Sequence, residues 1–380
     1  MTSRNADGFV LNAMPRFSPI DERMMSRALQ LAARGLYTTQ PNPRVGCVIA
    51  HGATVVGEGW HGRAGEAHAE ALALQQAGGN AKGATAYVTL EPHCHESRTP
   101  PCTDALIRAG VARVISAMAD PNPQVSGKGH EQLRASGLDV EVGLLGATAQ
   151  SLNAGFIKRM TQGLPWVTVK VASSLDGYVA LASGESRWIT GDAARRDVQR
   201  LRARSSAIVT GINTVVTDDP QLTVRDPQLD TLGRQPVRVV IDSNVRMPAH
   251  ARLLREPGET LIYATEKSGV LAELAGAQVL PLTAGADGKV DLVAVLRDLA
   301  RRGCNEALVE AGPTLSGEFL RHNLADELIV YIAPVLLGAG ARSMLTLPGL
   351  QSMQERRTLQ LIDSRRVGGD IRLRLRPQAG

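Results

Sequence analysis

The sequence predicts a two-domain α/β protein, and three observations carry that prediction. The chain of 380 residues is longer than one ordinary hydrophobic core organises. Helical and extended apolar periodicities alternate along most of its length, which is the pattern of layered α/β domains. A hydrophobic content of 43% is enough to fill two cores, so a disordered chain is excluded.

Taken in order, residues 1–17 lack periodicity and are expected to form a flexible tail. Ser18-Pro-Ile-Asp21 then carries the marks of a helix start: a capping hydroxyl, a proline in the first turn and an acid three residues on. Met24, Met25, Ala28, Leu29 and Ala32 follow at helical spacing, and Gly35 stops the helix. Pro41-Asn-Pro43 turns into a strand over 45–50, with 55–57 as its hairpin partner. A helix is predicted over 66–76, a strand over 86–90, a helix from 99 to 110 and a buried strand over 111–118. A boundary near 155–164 separates a first domain, 18–160, from a second, 161–380. In the second, strands are predicted over 166–172, 207–210, 237–242, 261–264, 306–310 and 327–332, and helices over 192–204, 292–302 and 316–321.

Composition narrows the function. Aromatic residues make up 3%, too few for the stacking platforms of a single-strand nucleic-acid binder. The balance of 42 basic to 37 acidic residues, a net +5, suits an anionic small molecule. No apolar run approaches the roughly 18 residues of a membrane helix, and no apolar signal core opens the chain. A cytoplasmic protein with neither nucleic acid nor membrane as partner is expected. With no secretory signal, the four cysteines point to metal binding or burial rather than disulfides. Cys47 lies in an apolar run and reads as core, Cys304 carries no motif, and Cys94 and Cys102 stand among histidines.

That last cluster carries chemistry. His68-Ala-Glu70 stands where a loop enters a helix, Glu91-Pro-His-Cys-His95 at a strand end, and Cys102 at the start of another helix. Imidazole and thiolate are the ligands zinc prefers, and a catalytic site needs three of them plus an open position for water. A thiolate in the first turn of a helix is favoured by the unpaired N–H groups there. Glu70, two residues after a ligand, is placed to carry protons without binding the metal. An H-x-E segment with a later cysteine pair marks zinc nucleobase deaminases; the first part is matched fully and the second in part.

Gln40-Pro-Asn-Pro-Arg-Val-Gly46, Gly57-Glu-Gly-Trp-His61, Gly65-Glu-Ala-His-Ala-Glu70, Tyr87-Val-Thr-Leu-Glu-Pro92 and Arg98-Thr-Pro-Pro-Cys102 together resemble the bacterial riboflavin-biosynthesis deaminase/reductase family. With the second half, the resemblance covers nearly the whole chain from about Asp21. It implies a cytidine-deaminase-like three-layer domain that binds Zn2+ and deaminates a diaminopyrimidinone ribosyl phosphate. It also implies zinc ligands His68 and Cys102, Glu70 as the catalytic proton carrier, Asn42, His61 and His95 along the substrate pocket, and Arg98 at the phosphate end. Where the family pattern reads Cys-Ser-His, this chain reads His93-Cys94-His95. The third ligand is therefore His93, with Cys94 the alternative. The change also leaves open a reductase whose first domain has lost its chemistry.

In the second half, a strand runs into Ala311-Gly-Pro-Thr-Leu-Ser-Gly317 and then a helix. Glycine lets a ligand approach the backbone, and a helix N-terminus offers N–H groups to phosphate. The turn is not G-x-G-x-x-G, which excludes an ordinary Rossmann site. Together with Lys170-Val-Ala-Ser-Ser-Leu-Asp-Gly177, Gly184-Glu-Ser-Arg-Trp-Ile-Thr190 and Gly211-Ile-Asn-Thr-Val-Val-Thr-Asp-Asp-Pro220, it resembles the reductase half of the same family. That resemblance implies a dihydrofolate-reductase-like fold, NADPH as cofactor and a homo-oligomer, dimer or tetramer. It implies NADPH contacts at Ala172, Trp188, Thr214, Asp218, Ser243 and Gly312, Pro313, Thr314, Leu315, Ser316 and Gly317. Ser186, Arg202, Leu222, Arg225 and Glu310 would hold substrate, with the two arginines suited to its phosphate. Asp176 is read either as a proton-transfer group or as part of an Asp-Gly turn.

Overall fold

The computed structural model describes residues 16–96, 100–123, 125–266 and 274–378. The chain forms two compact units, one joining the residues up to Gly35 to Arg44–Leu152, the other joining Leu36–Pro43 to Asn153–Gly380. The passage between them thus falls at 152/153, and the strip 36–43 belongs with the second. The reason is hydrogen bonding: Asn305 Nδ2 donates to Gln40 Oε1 at 2.7 Å and to the Pro41 carbonyl at 2.9 Å. Ser206 Oγ donates to the same Gln40 oxygen at 3.0 Å, and Arg234 Nε to the Tyr37 carbonyl at 2.9 Å. The expected tail lies, for residues 1–15, outside the described residues.

In the first unit, helix α1 (Pro19–Arg34) starts as the sequence predicts. Asp21 N–H donates to Ser18 Oγ at 3.1 Å, and Asp21 Oδ2 accepts from Ser18 N at 2.9 Å. Then follow β1 (Gly46–His51), β2 (Thr54–Trp60), α2 (Ala69–Ala77), β3 (Thr85–Val88), α3 (Cys102–Arg108), β4 (Arg113–Ser116), α4 (Lys128–Ala135), β5 (Asp139–Val142) and α5 (Gly146–Leu152). The sheet order is β2-β1-β3-β4-β5. β1 is antiparallel to both neighbours, whereas β3, β4 and β5 are parallel. Cys47, Ile49, Ala73, Val88, Leu106, Val114 and Leu133 fill the core, so Cys47 is a core residue as read. α2 begins three residues later than predicted, because His68 is its extended N-cap, with φ −76° and ψ 161°.

α2 sits unusually close to the sheet. A β-carbon at Gly57 would lie 2.1 Å from the Ala73 carbonyl oxygen, and one at Gly59 would lie 2.2 Å from that of Ala69. Only glycine strands beneath an alanine helix face allow this approach.

The second unit runs α6 (Ala154–Gln162), β6 (Trp166–Ser174), β7 (Tyr178–Ala180), α7 (Asp192–Arg204), β8 (Ala207–Gly211), α8 (Ile212–Asp218), β9 (Val237–Ile241), β10 (Thr260–Thr265) and β11 (Gln278–Leu282). It continues through α9 (Leu292–Arg301), β12 (Glu306–Val309), α10 (Pro313–Arg321), β13 (Glu327–Ala333), β14 (Arg342–Ser343), β15 (Leu359–Val367) and β16 (Asp370–Pro377). Among the described residues the main sheet has the order β11-β10-β9-β8-β12-β6-β13-β16-β15, with β7 and β14 paired apart. It is parallel from β11 to β13 and closes with an antiparallel hairpin. Val167, Val169, Val209, Val239, Leu299 and Phe319 anchor its core. The C-terminal hairpin, not predicted, is tied to α7 through buried Asp197. That carboxylate accepts from Tyr331 Oη at 2.7 Å and from Arg372 and Arg365 at 3.0 Å each.

The close approach of α2 gives a stability test. Gly59→Ala forces its methyl group against the Ala69 carbonyl and is expected to destabilise the first unit by about 1–3 kcal/mol or more. Urea unfolding measures this; an unchanged midpoint would show that α2 can lift without penalty.

Candidate functional site

The first cluster is assembled by three loops. His68 caps α2, His93 follows β3, and Cys102 is the first residue of α3. One nitrogen of each histidine and the Cys102 sulfur all lie within 4.8 Å of one another, and Cys94 is not in the group. Cys102 Sγ is 3.4 Å from His68 Nδ1, close to the ligand–ligand edge of a tetrahedral zinc site, roughly 3.5 Å. The His68 and His93 rings are 4.5 Å apart at their centroids. Two imidazoles and one thiol are a donor set that fits catalytic zinc, which takes water as its fourth ligand.

The surroundings tune these donors. Burial first, then the neighbouring His93 and His61, bring His68 down to about 4, so its ring is neutral and ready to ligate. Glu70, on the first turn of α2 and 4% exposed, is pushed up to about 6 by burial, against the pull of Cys102. The Cys102 thiol moves the opposite way from the expectation based on its helix position: burial, followed by the Glu70 charge, pushes it well up. A divalent cation reverses that balance, because its charge is the largest in such a site.

His61 is buried with its ring 5.4 Å from that of His68, and its Nδ1 is 3.2 Å from the Ala67 carbonyl. His95 is exposed, its ring 5.6 Å from His93. Asn42 lies in the strip 36–43 of the second unit, where its N–H donates to the Thr39 carbonyl at 2.8 Å. Arg98 lies outside the described residues. The sequence reading passed over Asp120, whose N–H donates to Glu91 Oε2 at 2.9 Å and whose carboxyl is pushed up chiefly by burial. Its signal was the Asp120-Pro-Asn-Pro123 turn just past a parallel strand, where α/β ligands bind.

In the second unit, the carboxyl ends of adjacent parallel strands collect two sets of residues. At Glu310, just past β12, a nearly buried ion pair forms: Arg202 Nε donates to Oε1 at 2.6 Å and Nη2 to Oε2 at 2.9 Å. Arg202 Nη1 donates to the Thr223 carbonyl at 3.1 Å, and Arg225 Nη1 to Thr223 Oγ1 at 3.2 Å. The Arg202 fork is therefore committed within the protein, and Arg225, which is exposed, remains the arginine open to a phosphate. Leu222, buried at φ +53°, sets this loop. Lys170 was quoted without a role; its charge couples to Glu310 and Arg202 on the face of β6 opposite Val169 and Val171. A lysine inside a central strand of a parallel sheet was the missed signal.

Two residues on, Gly312 caps α10 and Pro313 opens it. A β-carbon at Gly312 would lie 3.9 Å from Thr214 Oγ1, so the turn after β12 faces α8 after β8. Asp218 ends α8, and its carbonyl accepts from Arg187 at 2.6 Å, which brings in the neighbouring Trp188. Trp188 is 70% exposed, with the Arg195 guanidinium 4.6 Å from its ring centroid. Ser243, just past β9, accepts from Val290 N at 3.1 Å. Free helical N–H groups, a bare glycine and hydroxyls at strand ends fit a phosphate-bearing cofactor. Ser316 is fully buried and donates to the Ala311 carbonyl at 3.2 Å, and a β-carbon at Gly317 would lie 2.0 Å from the Thr346 oxygen. Ala172 packs beside Leu201 and Tyr331, and Ser186 is half-buried. Asp176 proves to be a turn clamp, accepting from Gly338 N at 2.8 Å and Leu337 N at 3.1 Å.

Two family models match the chain: the RibD C-terminal domain over residues 165–373, and the cytidine and deoxycytidylate deaminase zinc-binding region over residues 18–118. The riboflavin biosynthesis protein RibD of Escherichia coli (strain K12) is 51% identical over 365 residues, covering 93% of this chain and 99% of that one. Among solved structures, Acinetobacter baumannii RibD, form 1, is 46% identical with a TM-score of 0.88, covering 94% of this chain and 99% of that one. A diaminohydroxyphosphoribosylaminopyrimidine deaminase/5-amino-6-(5-phosphoribosylamino)uracil reductase from Thermotoga maritima is 32% identical with a TM-score of 0.83, again covering 94% and 99%.

The ion pair at Glu310 yields a pH prediction. Burial alone would raise this carboxyl, but Arg202, Lys170 and Arg225 outweigh it and hold it below the ordinary 4.5. A carboxylate depressed on folding adds stability that is present above 4.5 and lost as pH falls through its lowered value. Glu310→Gln, which leaves Arg202 buried without its counter-charge, is expected to cost about 3 kcal/mol at pH 7 and to flatten the acid limb. Urea unfolding at several pH values checks this; identical slopes for both proteins would overturn it.

Proposed function

We infer the working parts of this chain from one premise: it belongs to the RibD family of bifunctional riboflavin-biosynthesis enzymes. It is a zinc-dependent hydrolytic deaminase joined to an NADPH-dependent reductase, with a cytidine-deaminase-like first domain and a dihydrofolate-reductase-like second domain. The observation that carries the site assignment is the convergence of His68, His93 and Cys102 beside buried Glu70.

His68, His93 and Cys102 would hold the zinc, which when bound would supply the Lewis acidity that makes water nucleophilic near neutral pH. Glu70 takes a proton from the attacking water and delivers it to the departing amine, so ammonia leaves as the ring gains a carbonyl. His61 and His95 flank the diaminopyrimidinone ring; the family resemblance alone assigns Asn42 and Arg98 to the same substrate. The second domain would hold NADPH, which when bound would supply the reducing chemistry that turns the ribosyl group into ribityl. Thr214, Asp218, Ser243, Trp188 and the 312–315 turn seat the cofactor, and Arg225 takes the substrate phosphate. Arg202 acts through Glu310, holding that carboxylate against the substrate. The alternative of a reductase with an inert first domain has no observation in its favour, since all three donors converge.

The test is ammonia release from the diaminopyrimidinone ribosyl phosphate by zinc-supplemented protein, followed by NADPH oxidation on the product. Glu70→Gln should cut ammonia release about 10²–10⁴-fold and leave NADPH oxidation intact. Undiminished release by that variant, or none by the parent protein, would sink the deaminase assignment.

We further read the enzyme as a cytoplasmic homo-oligomer. Among the described residues no helix is long and apolar enough to cross a membrane. Support for assembly comes from edge strand β15 and its partner β16, which expose Leu361 and Ile371. Sedimentation velocity should return a dimer or tetramer; a monomer at micromolar concentration would refute it.

A further inference from the structure

Glu91 lies outside the donor set, yet it receives more hydrogen bonds than any group near it needs for solubility. It lies three residues past the end of β3 and two residues before His93. Its side chain is wholly buried. Oε2 accepts from Asp120 N at 2.9 Å and Gly127 N at 3.0 Å, and Oε1 accepts from Gly129 N at 2.9 Å and His130 N at 3.4 Å. Gly129 and His130 are the second and third residues of α4, so Glu91 caps that helix from another element. His130 Nδ1 lies 3.6 Å from Oε2, and His130 Nε2 lies 2.7 Å from Ser116 Oγ, which roots the helix in β4.

The same helix presses on the backbone that leads into His93. A β-carbon at Gly129 would lie 2.1 Å from the Pro92 carbonyl oxygen. From the other side, Thr103 N, next to Cys102, donates to the His93 carbonyl at 3.3 Å. Gln132 of α4 in turn accepts from Thr103 Oγ1 at 2.9 Å and donates to Asp104 at 2.8 Å. Helix α4 therefore touches both donor loops, and Glu91 is the link that fixes it.

We propose that Glu91 is a positioning residue of the deaminase site: by capping α4 it holds the 91–93 backbone so that the His93 ring reaches the metal. This rests on the zinc reading above. A carboxylate is needed because all four neighbours are N–H donors; an amide would turn its own NH2 toward at least one of them. Metal sites depend on such outer partners, whose loss typically weakens binding about 10–100-fold.

The experiment measures the zinc dissociation constant of the full chain by chelator competition, and the visible spectrum after cobalt substitution, for the parent protein, Glu91→Gln and Gly129→Ala. Both variants should bind zinc about 10–100-fold more weakly, with a weakened tetrahedral cobalt–thiolate spectrum and unchanged NADPH oxidation. Gly129→Ala reaches the same backbone through Pro92 without altering the carboxylate, so it serves where Glu91→Gln does not fold. If either folded variant keeps parental affinity and spectrum, the proposal is overturned while the zinc assignment stands. If the parent protein binds no zinc, both fall, and that outcome is distinguishable at once.

Discussion

The deaminase unit depends on how close a helix can come to a sheet. With no side chains at Gly57 and Gly59, and with Ala69 and Ala73 facing them, α2 lies backbone to backbone on β2. That depth buries Glu70 at the helix N-terminus and leaves His68, as the N-cap, turned out of the helix toward the other donors. A larger residue on either surface would raise the helix and carry Glu70 and His68 with it. The placement of these two side chains therefore begins in packing.

The reductase unit reaches a comparable end by topology. Consecutive parallel strands β8, β12 and β9 deliver their carboxyl ends to one edge, the place where α/β proteins bind ligands. Glu310 and Gly312 are separated by one residue, so the ion pair with Arg202 and the glycine that caps α10 share a single turn. The ion pair of Arg202 with Glu310 stiffens that turn.

Much of this was legible in the sequence. The N-cap at Ser18 and α7 over 192–204 stand where pattern alone puts them, because each has a strong local signal. His68, Glu70 and Cys102 were legible because zinc chemistry restricts residue type and spacing together. His93 was already preferred over Cys94 in the sequence, since one step along the backbone swings a side chain away, and His93 is the one grouped with the other two donors. Short polar elements such as α4 were not legible: its role is set by the carboxylate of Glu91, far away in sequence. The final hairpin was missed although Ile371, Leu373 and Leu375 alternate with arginines, a strand signal whose charged positions find their partners far away in sequence, Arg372 at Asp197 and Arg374 at Glu327. The fates of Ser316 and Gly317 were equally hidden, for nothing in the turn announces that Thr346 packs against it.

The strip 36–43 has a consequence for biosynthesis on the ribosome. Gln40 emerges early, but its partner Asn305 lies 265 positions later. At about 5–20 residues per second, that interval is on the order of tens of seconds. During it the strip connecting α1 to β1 has no Asn305 to bind, and a nascent chain ending near Leu152 still lacks it. Completion of this connection therefore cannot precede synthesis of Asn305.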